Sequence, residues 1–181
     1  MPQHASVIRK IQAEHQLLTM ALYHNTRSRK RNGLNSPNRT VKLKCLQVNL
    51  QHSRVATSNL TQIIQHYNID IAFVQEPYIV HNRVAGFHKG LKILTHGEGR
   101  IRAAILINNN EVDAITITQG SHEDAILTEI KYKGISLFRA SIYMPINRGI
   151  NIDLNTMENI LQYTIGEGLL LAIDSNARSK L

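Results

Sequence analysis

The amino-acid sequence predicts an α/β protein in which two mixed β-sheets pack together and helices cover their outer faces. A strand, a helix and a buried strand follow one another within residues 43–75, and a helix followed by a strand occupies residues 151–173. Between these two units lie five strand-like runs, separated by short polar or glycine-containing turns. Because sheets and helices each have to bury an apolar face, this order of elements favours two packed sheets with helices outside.

The first unit has the pattern of a parallel strand–helix–strand motif. Leu43–Leu50 has the composition of a strand, and Ile69–Gln75 is a short apolar run without polar alternation, which is typical of a strand buried on both faces. Between them, Thr57–Tyr67 carries apolar residues at helical spacing, and we expect Thr57 or Ser58 to cap this helix. The short connection predicts that the two strands are parallel.

The rest of the domain is predicted as a loop, an antiparallel section and a final helix–strand pair. Residues 77–90 begin with a proline, contain two glycines and are expected to form the loop. Helical spacing returns in Asn151–Thr164, and Leu169–Ile173 is a fully apolar final strand. The five intervening strands are expected at Leu91–Thr95, Arg102–Asn108, Val112–Thr118, Ala125–Tyr132 and Ile135–Tyr143.

The cysteine count and the lengths of the apolar runs exclude some classes of protein. The chain has 181 residues and one cysteine, Cys45, so an intrachain disulfide is impossible and we expect this thiol to be an inert part of the core. The longest apolar run, Leu169–Ile173, is far too short to cross a bilayer, and the N-terminal residues lack the apolar core of a signal peptide. We therefore expect an intracellular protein without a membrane partner.

The excess positive charge is concentrated near the N-terminus. The net charge is +8, and residues 1–40 hold seven Lys and Arg against the single acid Glu14. We expect a short amphipathic helix within residues 1–24 and a linker over 25–40, so that 1–40 form a largely disordered basic extension and 41–181 the folded domain. A basic cluster in this extension is interpreted as a solvated tail, a nucleic-acid contact or a nuclear address. The cluster consists of Arg27, Arg29, Lys30 and Arg31.

Four predicted strands end in side chains that are able to bind cations or phosphates. These side chains are Asn49, Glu76, Tyr143, and Asp174 together with Asn176. If the strands lie side by side and point the same way, their ends converge on one rim, where α/β sheets usually hold ligands. Carboxylates, amides and a phenol suit a hard cation and a phosphate. Simpler interpretations stay open: Glu76 pairs with a lysine or arginine, Tyr143 packs within its strand, and Asn176 forms a turn.

The residues around these strand ends match four motifs of a known family in the same order. The motifs are Gln47-Val48-Asn49, Gln75-Glu76-Pro77, Ser141-Ile142-Tyr143-Met144-Pro145 and Asp174-Ser175-Asn176-Ala177. In these motifs the chain resembles the endonuclease/exonuclease/phosphatase superfamily. The residues of the motifs are most similar to those of the apurinic-type endonuclease domain of arthropod non-LTR retrotransposons. The strand Arg102-Ala103-Ala104-Ile105 and the ending Asn176-Ala177-Arg178-Ser179 add to this likeness, which covers about residues 43–181.

The resemblance implies a four-layer α/β/β/α sandwich that hydrolyses phosphodiesters with Mg²⁺, or with Mn²⁺ in its place. For this group it implies a DNA-nicking endonuclease that is associated with a reverse transcriptase. Glu76 is implied as the metal ligand, with Asn49 supporting the metal and phosphate by hydrogen bonding. Tyr143 is implied to bind the scissile phosphate, Asp174 to orient or deprotonate the attacking water, and Asn176 to hold the water or phosphate. Together, these side chains and the cation would compensate the negative charge that develops on the phosphoryl oxygens during hydrolysis.

One motif of the family has no counterpart in this sequence. The family carries a final Ser-Asp-His, but no histidine follows His122 in this chain. We therefore expect a partial domain with an incomplete second sheet, poor solubility and impaired hydrolysis. Two alternatives stay open: an inactive remnant that binds nucleic acid, and another phosphoesterase of the same superfamily. The oligomeric state is left open as well.

Overall fold

The structure, a computed structural model, describes residues 16–23 and 40–176. In this part of the chain the first elements are β1 (Gln16–Tyr23), β2 (Thr40–Asn49), α1 (Arg54–Tyr67), β3 (Ile71–Gln75), β4 (Ile79–Val80), β5 (Arg83–Val84) and β6 (Lys92–Leu94). They are followed by β7 (Ala103–Ile107), β8 (Asp113–His122), β9 (Ala125–Tyr132), β10 (Ile135–Tyr143), α2 (Ile150–Tyr163) and β11 (Leu169–Asp174). Neither of these two helices is long and apolar enough to cross a membrane.

The longer strands form two mixed sheets. Sheet I has the order β1-β2-β3-β7-β6, sheet II has the order β11-β10-β9-β8, and β4 with β5 makes a small separate ribbon. Strands β2 and β3 are parallel, as the first unit predicted, and β10 and β11 are also parallel. The other pairings among the described residues are antiparallel. The predicted antiparallel section is thus confirmed in the meander β8–β9–β10.

The two sheets face each other, and each carries a helix on its outer surface. The core between the sheets includes Leu43, Phe73, Ile105, Ile126 and Ala172. A second core lies between sheet I and α1 and includes Leu46, Val48, Leu60 and Ile64, while a third between sheet II and α2 includes Leu127, Ile142 and Ile160. These layers confirm the predicted α/β/β/α sandwich of two mixed sheets.

Helix α1 begins earlier than the apolar pattern indicated. Its N-cap is Ser53, whose Oγ accepts a hydrogen bond from the backbone N–H of Ala56 at 3.2 Å. The prediction of Thr57 or Ser58 as the cap was therefore wrong, and Thr57 is a buried residue inside the helix. The pattern missed the first turn because Val55 is exposed and does not continue the apolar stripe.

Residues 16–23 are a strand, which contradicts the expectation of a helix in this part of the N-terminal extension. Strand β1 pairs antiparallel with β2, from Gln16 opposite Gln47 to Tyr23 opposite Thr40. The four-residue spacing of its leucines misled the prediction, because four residues make about one helical turn and also two repeats of a strand. As a strand, β1 supplies hydrogen-bond partners to β2, which would otherwise be the edge of sheet I. The basic cluster lies outside the described residues.

The inner faces of the sheets change from apolar to polar toward one end of the sandwich. Along β2, Leu43 and Cys45 are buried in the core between the sheets, while Gln47 and Asn49 continue the same face and reach residues of β11. Burial raises the pKa of Cys45 to about 11, so the thiol stays protonated at neutral pH. This end of the sandwich, where β2, β3, β10 and β11 all finish, is called the rim below.

Arg139 places a cation in the same interior. The residue is 1% exposed, and Nη1 donates to the carbonyl of Phe138 at 2.8 Å. Its Nε and Nη2 have no hydrogen-bond partner within the described part of the chain, and burial lowers the pKa of the guanidinium. Unsatisfied donors in a core cost free energy.

Replacing Arg139 by methionine is therefore expected to stabilise the fold. The change removes the unpaired donors while filling a similar volume, and each buried unsatisfied group costs about 1–3 kcal/mol. We expect the free energy of unfolding of Arg139→Met, measured by urea denaturation, to rise by about that amount at an unchanged m value. The control Arg54→Met, at an exposed position of α1, should change stability by less than about 0.5 kcal/mol. A loss of stability in Arg139→Met would contradict the assignment of an unpaired cation.

Candidate active site

The structure brings the five predicted site residues together at the rim. The prediction had the four strands side by side, whereas they form two parallel pairs in facing sheets, β2 with β3 and β10 with β11. A hydrogen bond of 2.6 Å from Asn49 Nδ2 to Asp174 Oδ2 joins the two sheets at this end. The convergence of strand ends is thus observed, but across the sandwich instead of along one sheet edge.

Glu76 stands at the end of β3 in an unusual backbone conformation. Its φ of +47° lies in the left-handed region, and its N–H donates to the carbonyl of Arg102 at 2.8 Å. Its carboxylate is 20% exposed. Left-handed conformations of residues other than glycine are concentrated at functional sites, where the surrounding structure imposes them.

His52 lies beside Glu76, and sequence reasoning missed it. Both Gln51 and His52 have left-handed backbones, at φ +49° and +55°. The N–H of His52 donates to the carbonyl of Glu76 at 2.8 Å, and Asn49 Oδ1 accepts from the N–H of Gln51 at 2.8 Å. These bonds set His52 Nε2 at 3.5 Å from Glu76 Oε1. The only available signal was its place three residues after Asn49, the residue that ends the first motif.

Tyr143 and Asn176 complete the cluster on the side of sheet II. The pKa of Tyr143 is raised above its ordinary value, first by burial and then by a hydrogen bond with Glu76 and the negative charge of that residue. A hydrogen bond with Asn176 and the positive charge of Arg102 lower the pKa in part. The phenol is therefore a neutral hydrogen-bond donor at physiological pH. Asn176 donates from Nδ2 to the carbonyl of Met144 at 2.9 Å and from its N–H to Asp174 Oδ1 at 3.2 Å.

An ion-pair cluster that the sequence did not reveal supports Tyr143. The guanidinium of Arg102 lies 5.4 Å from the centroid of the Tyr143 ring, and its Nη2 donates to Asp124 Oδ2 at 2.7 Å while Nε donates to Asp124 Oδ1. Arg148 donates to Asp124 and also to Asp153 at the start of α2. The side chains of both aspartates are only 4% exposed.

Two glutamine side chains fasten the sheets directly below the rim. Gln75 Nε2 donates to Ser141 Oγ at 3.0 Å and to the carbonyl of Ala172 at 3.2 Å. Gln47 Nε2 donates to the carbonyl of Ile173 at 3.0 Å. These contacts explain why the first two motifs contain glutamines: their amides hold sheet I in a fixed position against sheet II.

The rim offers few protein ligands for a metal ion. Within the described residues there is no group of three or more His, Cys, Asp or Glu side chains that could hold one. The available donors are the partly exposed carboxylate of Glu76 and His52 Nε2, a buried nitrogen without a hydrogen-bond partner in this part of the chain. A small hard cation fits such a set, because Mg²⁺ keeps several waters and takes only one or two carboxylates from the protein.

Comparison with solved structures defines the class of fold. The chain superposes on an endonuclease/exonuclease/phosphatase family protein from Bacteroides thetaiotaomicron with a TM-score of 0.58 at 13% identity, over 77% of this chain and 65% of that one. It also superposes on the endonuclease domain of TRAS1, a telomere-specific non-LTR retrotransposon, with a TM-score of 0.67 at 24% identity, over 76% of this chain and 60% of that domain. The chain therefore has the endonuclease/exonuclease/phosphatase fold, as its motifs predicted.

A retrotransposon protein is also similar to the chain in sequence. The chain is 23% identical over 142 residues to the putative 115 kDa protein of the type-1 retrotransposable element R1DM of Drosophila melanogaster. This match covers 78% of the chain but 14% of that protein, so the chain corresponds to a small part of its relative. No model of a protein family matches the sequence.

Removing the central carboxylate of the ion-pair cluster is expected to destabilise the fold strongly. Asp124→Ala leaves the guanidinium groups of Arg102 and Arg148 without their shared partner, and each hydrogen bond to a charged group that is lost costs about 1.5–3 kcal/mol. Urea denaturation measures the loss. The matched control is Glu111→Ala, because Glu111 pairs with Lys133 on the surface and should lose less than about 1 kcal/mol. Equal losses in the two variants would show that the cluster does not stabilise the fold.

Proposed function

We propose that this chain is a metal-dependent phosphodiesterase domain that nicks DNA, with Asn49, Glu76, Tyr143, Asp174 and Asn176 as its catalytic set. The observation that carries the proposal is the hydrogen bond between Asn49 and Asp174, which joins motifs 125 residues apart in the sequence. This bond brings the amide of Asn49 to the carboxylate of Asp174, whose other oxygen accepts from the N–H of Asn176.

The arrangement of donors suits an attack on a phosphodiester by water. The Asp174 carboxylate receives hydrogen bonds from Asn49 and from the N–H of Asn176, so it is held in one orientation as an acceptor for the proton of a water molecule. The neutral Tyr143 phenol is able to donate to a phosphoryl oxygen. Donors fixed in advance in this way stabilise charge that develops in the transition state.

A divalent cation is proposed at Glu76, with Mg²⁺ as the expected ion and Mn²⁺ as its substitute. The fit rests on the partly exposed Glu76 carboxylate and on the unpartnered His52 Nε2 beside it. When bound, such an ion compensates charge on the phosphoryl oxygens and helps to orient the substrate. The residues of the chain hold the phosphodiester and the water around it.

DNA is the proposed substrate, by similarity to the retrotransposon endonuclease domain and relative. The basic cluster of Arg27, Arg29, Lys30 and Arg31 is proposed to contact phosphates of the DNA, because lysine and arginine supply the sequence-independent part of such binding. A nuclear location would follow from the same cluster and stays a proposal.

The second candidate function is binding of nucleic acid without hydrolysis. The observation that favours it is the concentration of charge, since residues 1–40 hold seven Lys and Arg against one acid. Reversing the charges of the basic cluster distinguishes the two functions. If the chain only binds DNA, the reversal should abolish DNA retention in a filter-binding assay. If the rim hydrolyses DNA, the reversal should spare the chemical step.

Nicking of supercoiled plasmid tests the proposed activity. We expect nicking with Mg²⁺ and none with EDTA, and a loss of at least about 100-fold in Glu76→Gln and in Asp174→Asn, because each removes a charge from the reacting centre without changing shape. The matched control is Asp113→Asn on the exposed face of β8, which should nick at the rate of the unmodified chain. Nicking that survives EDTA, or that is unchanged in Glu76→Gln, would contradict the proposal.

A further inference from the structure

We propose that His52 is a second protein ligand of the cation at Glu76, and that its nitrogen raises the affinity of this site for Mn²⁺ more than its affinity for Mg²⁺. The inference rests on the proposed function, since it concerns the same cation. Neither the motifs nor the resemblance assigned a role to this histidine.

The hydrogen bond of the imidazole fixes which nitrogen faces Glu76. Nδ1 lies 2.9 Å from the carbonyl oxygen of Pro77. A carbonyl oxygen only accepts, so Nδ1 carries the proton and, in the neutral ring, Nε2 presents its lone pair. Metal-ligating histidines typically donate their other N–H to a carbonyl or carboxylate in this way, which orients the ring.

The surroundings of Nε2 call for a cation. The atom is buried, has no hydrogen-bond partner in the described part of the chain, and lies 3.5 Å from Glu76 Oε1. In the neutral ring, a lone pair then faces a carboxylate oxygen, and two acceptors in contact are unfavourable unless something positive lies between them. Either a metal ion bridges the two atoms or a second proton on the imidazole makes an ion pair.

The separation of the two atoms suits a bridging ion. Divalent ions lie about 2.0–2.2 Å from nitrogen and oxygen ligands, so His52 Nε2 and Glu76 Oε1, which are 3.5 Å apart, are both within reach of a single ion.

The backbone holds the histidine in place before any ion arrives. The N–H of Leu50 donates to the carbonyl of Gln75 at 2.9 Å, and that of His52 donates to the carbonyl of Glu76 at 2.8 Å. Both bonds tie the left-handed turn of Gln51 and His52 to the end of β3. A site fixed in this way loses little conformational entropy on binding.

The type of ligand sets the expected selectivity. Mg²⁺ favours oxygen ligands and keeps its waters, whereas the divalent ions of the first transition row, a series that includes Mn²⁺, accept imidazole nitrogen more readily than Mg²⁺ does. One nitrogen beside one carboxylate should therefore raise affinity for Mn²⁺ more than affinity for Mg²⁺.

Pulsed electron paramagnetic resonance of the Mn²⁺-loaded full chain tests the proposal. We expect a ¹⁴N coupling to Mn²⁺ that is lost in His52→Asn and kept in the control His81→Asn. The pair is matched, because His81 is exposed and has a similar left-handed φ of +48°, and asparagine tolerates this conformation. Calorimetric titration should show Mn²⁺ affinity at least about tenfold weaker in His52→Asn, with Mg²⁺ affinity changed less than about threefold.

The outcomes separate this inference from the proposed function. In one outcome, Mn²⁺ binds only when Glu76 is intact, but His52→Asn loses no ¹⁴N coupling. This result would overturn the role of His52 and leave the metal site standing. Tighter Mn²⁺ binding in His52→Asn would also overturn it, since a protonated His52 would then be a competitor of the ion. Mn²⁺ binding that is absent, or unchanged in Glu76→Gln, would overturn both proposals.

Discussion

The contact between the two sheets at the rim is the constraint on which the site depends. Sheet I supplies Asn49 and Glu76, sheet II supplies the other three site residues, and the Asn49–Asp174 hydrogen bond of 2.6 Å joins the two groups. Gln75, which reaches Ser141 and the backbone of β11, keeps the sheets aligned just below it. Because side chains alternate between faces, a slip of one residue in β2 or β11 would turn Asn49 or Asp174 away from the other sheet.

The same alternation separates stability from chemistry along each strand. In β3, Ile71 and Phe73 fill the core between the sheets, and Gln75 follows on the same face as the strand reaches the rim. The left-handed Glu76 then ends the strand. The apolar residues stabilise the sandwich, whereas the residues after them are placed to bind a phosphate or a cation.

Much of the fold was predictable because it depends on local patterns. The unbroken apolar run of β3 and the helical stripe of α1 identify the parallel unit, and four strand ends identify the rim. The strand Gln16–Tyr23 was mispredicted because its spacing suits both helix and strand, and the choice depends on pairing with β2. Asp124 and His52 could not be found from sequence, since their partners lie on other strands and loops and are brought near only by the tertiary fold.

The central claim is that a cation binds at the rim between the two sheets. Paramagnetic broadening of side-chain amide signals by Mn²⁺ tests it most directly, because the effect falls steeply with distance from the ion. The account predicts that the NH₂ signals of Asn49 and Asn176 broaden at low Mn²⁺, while that of Asn109, which is bound to Asp70 ahead of β3 at the opposite end of sheet I, stays sharp. Broadening of Asn109 first, or equal broadening of all three, would contradict the account.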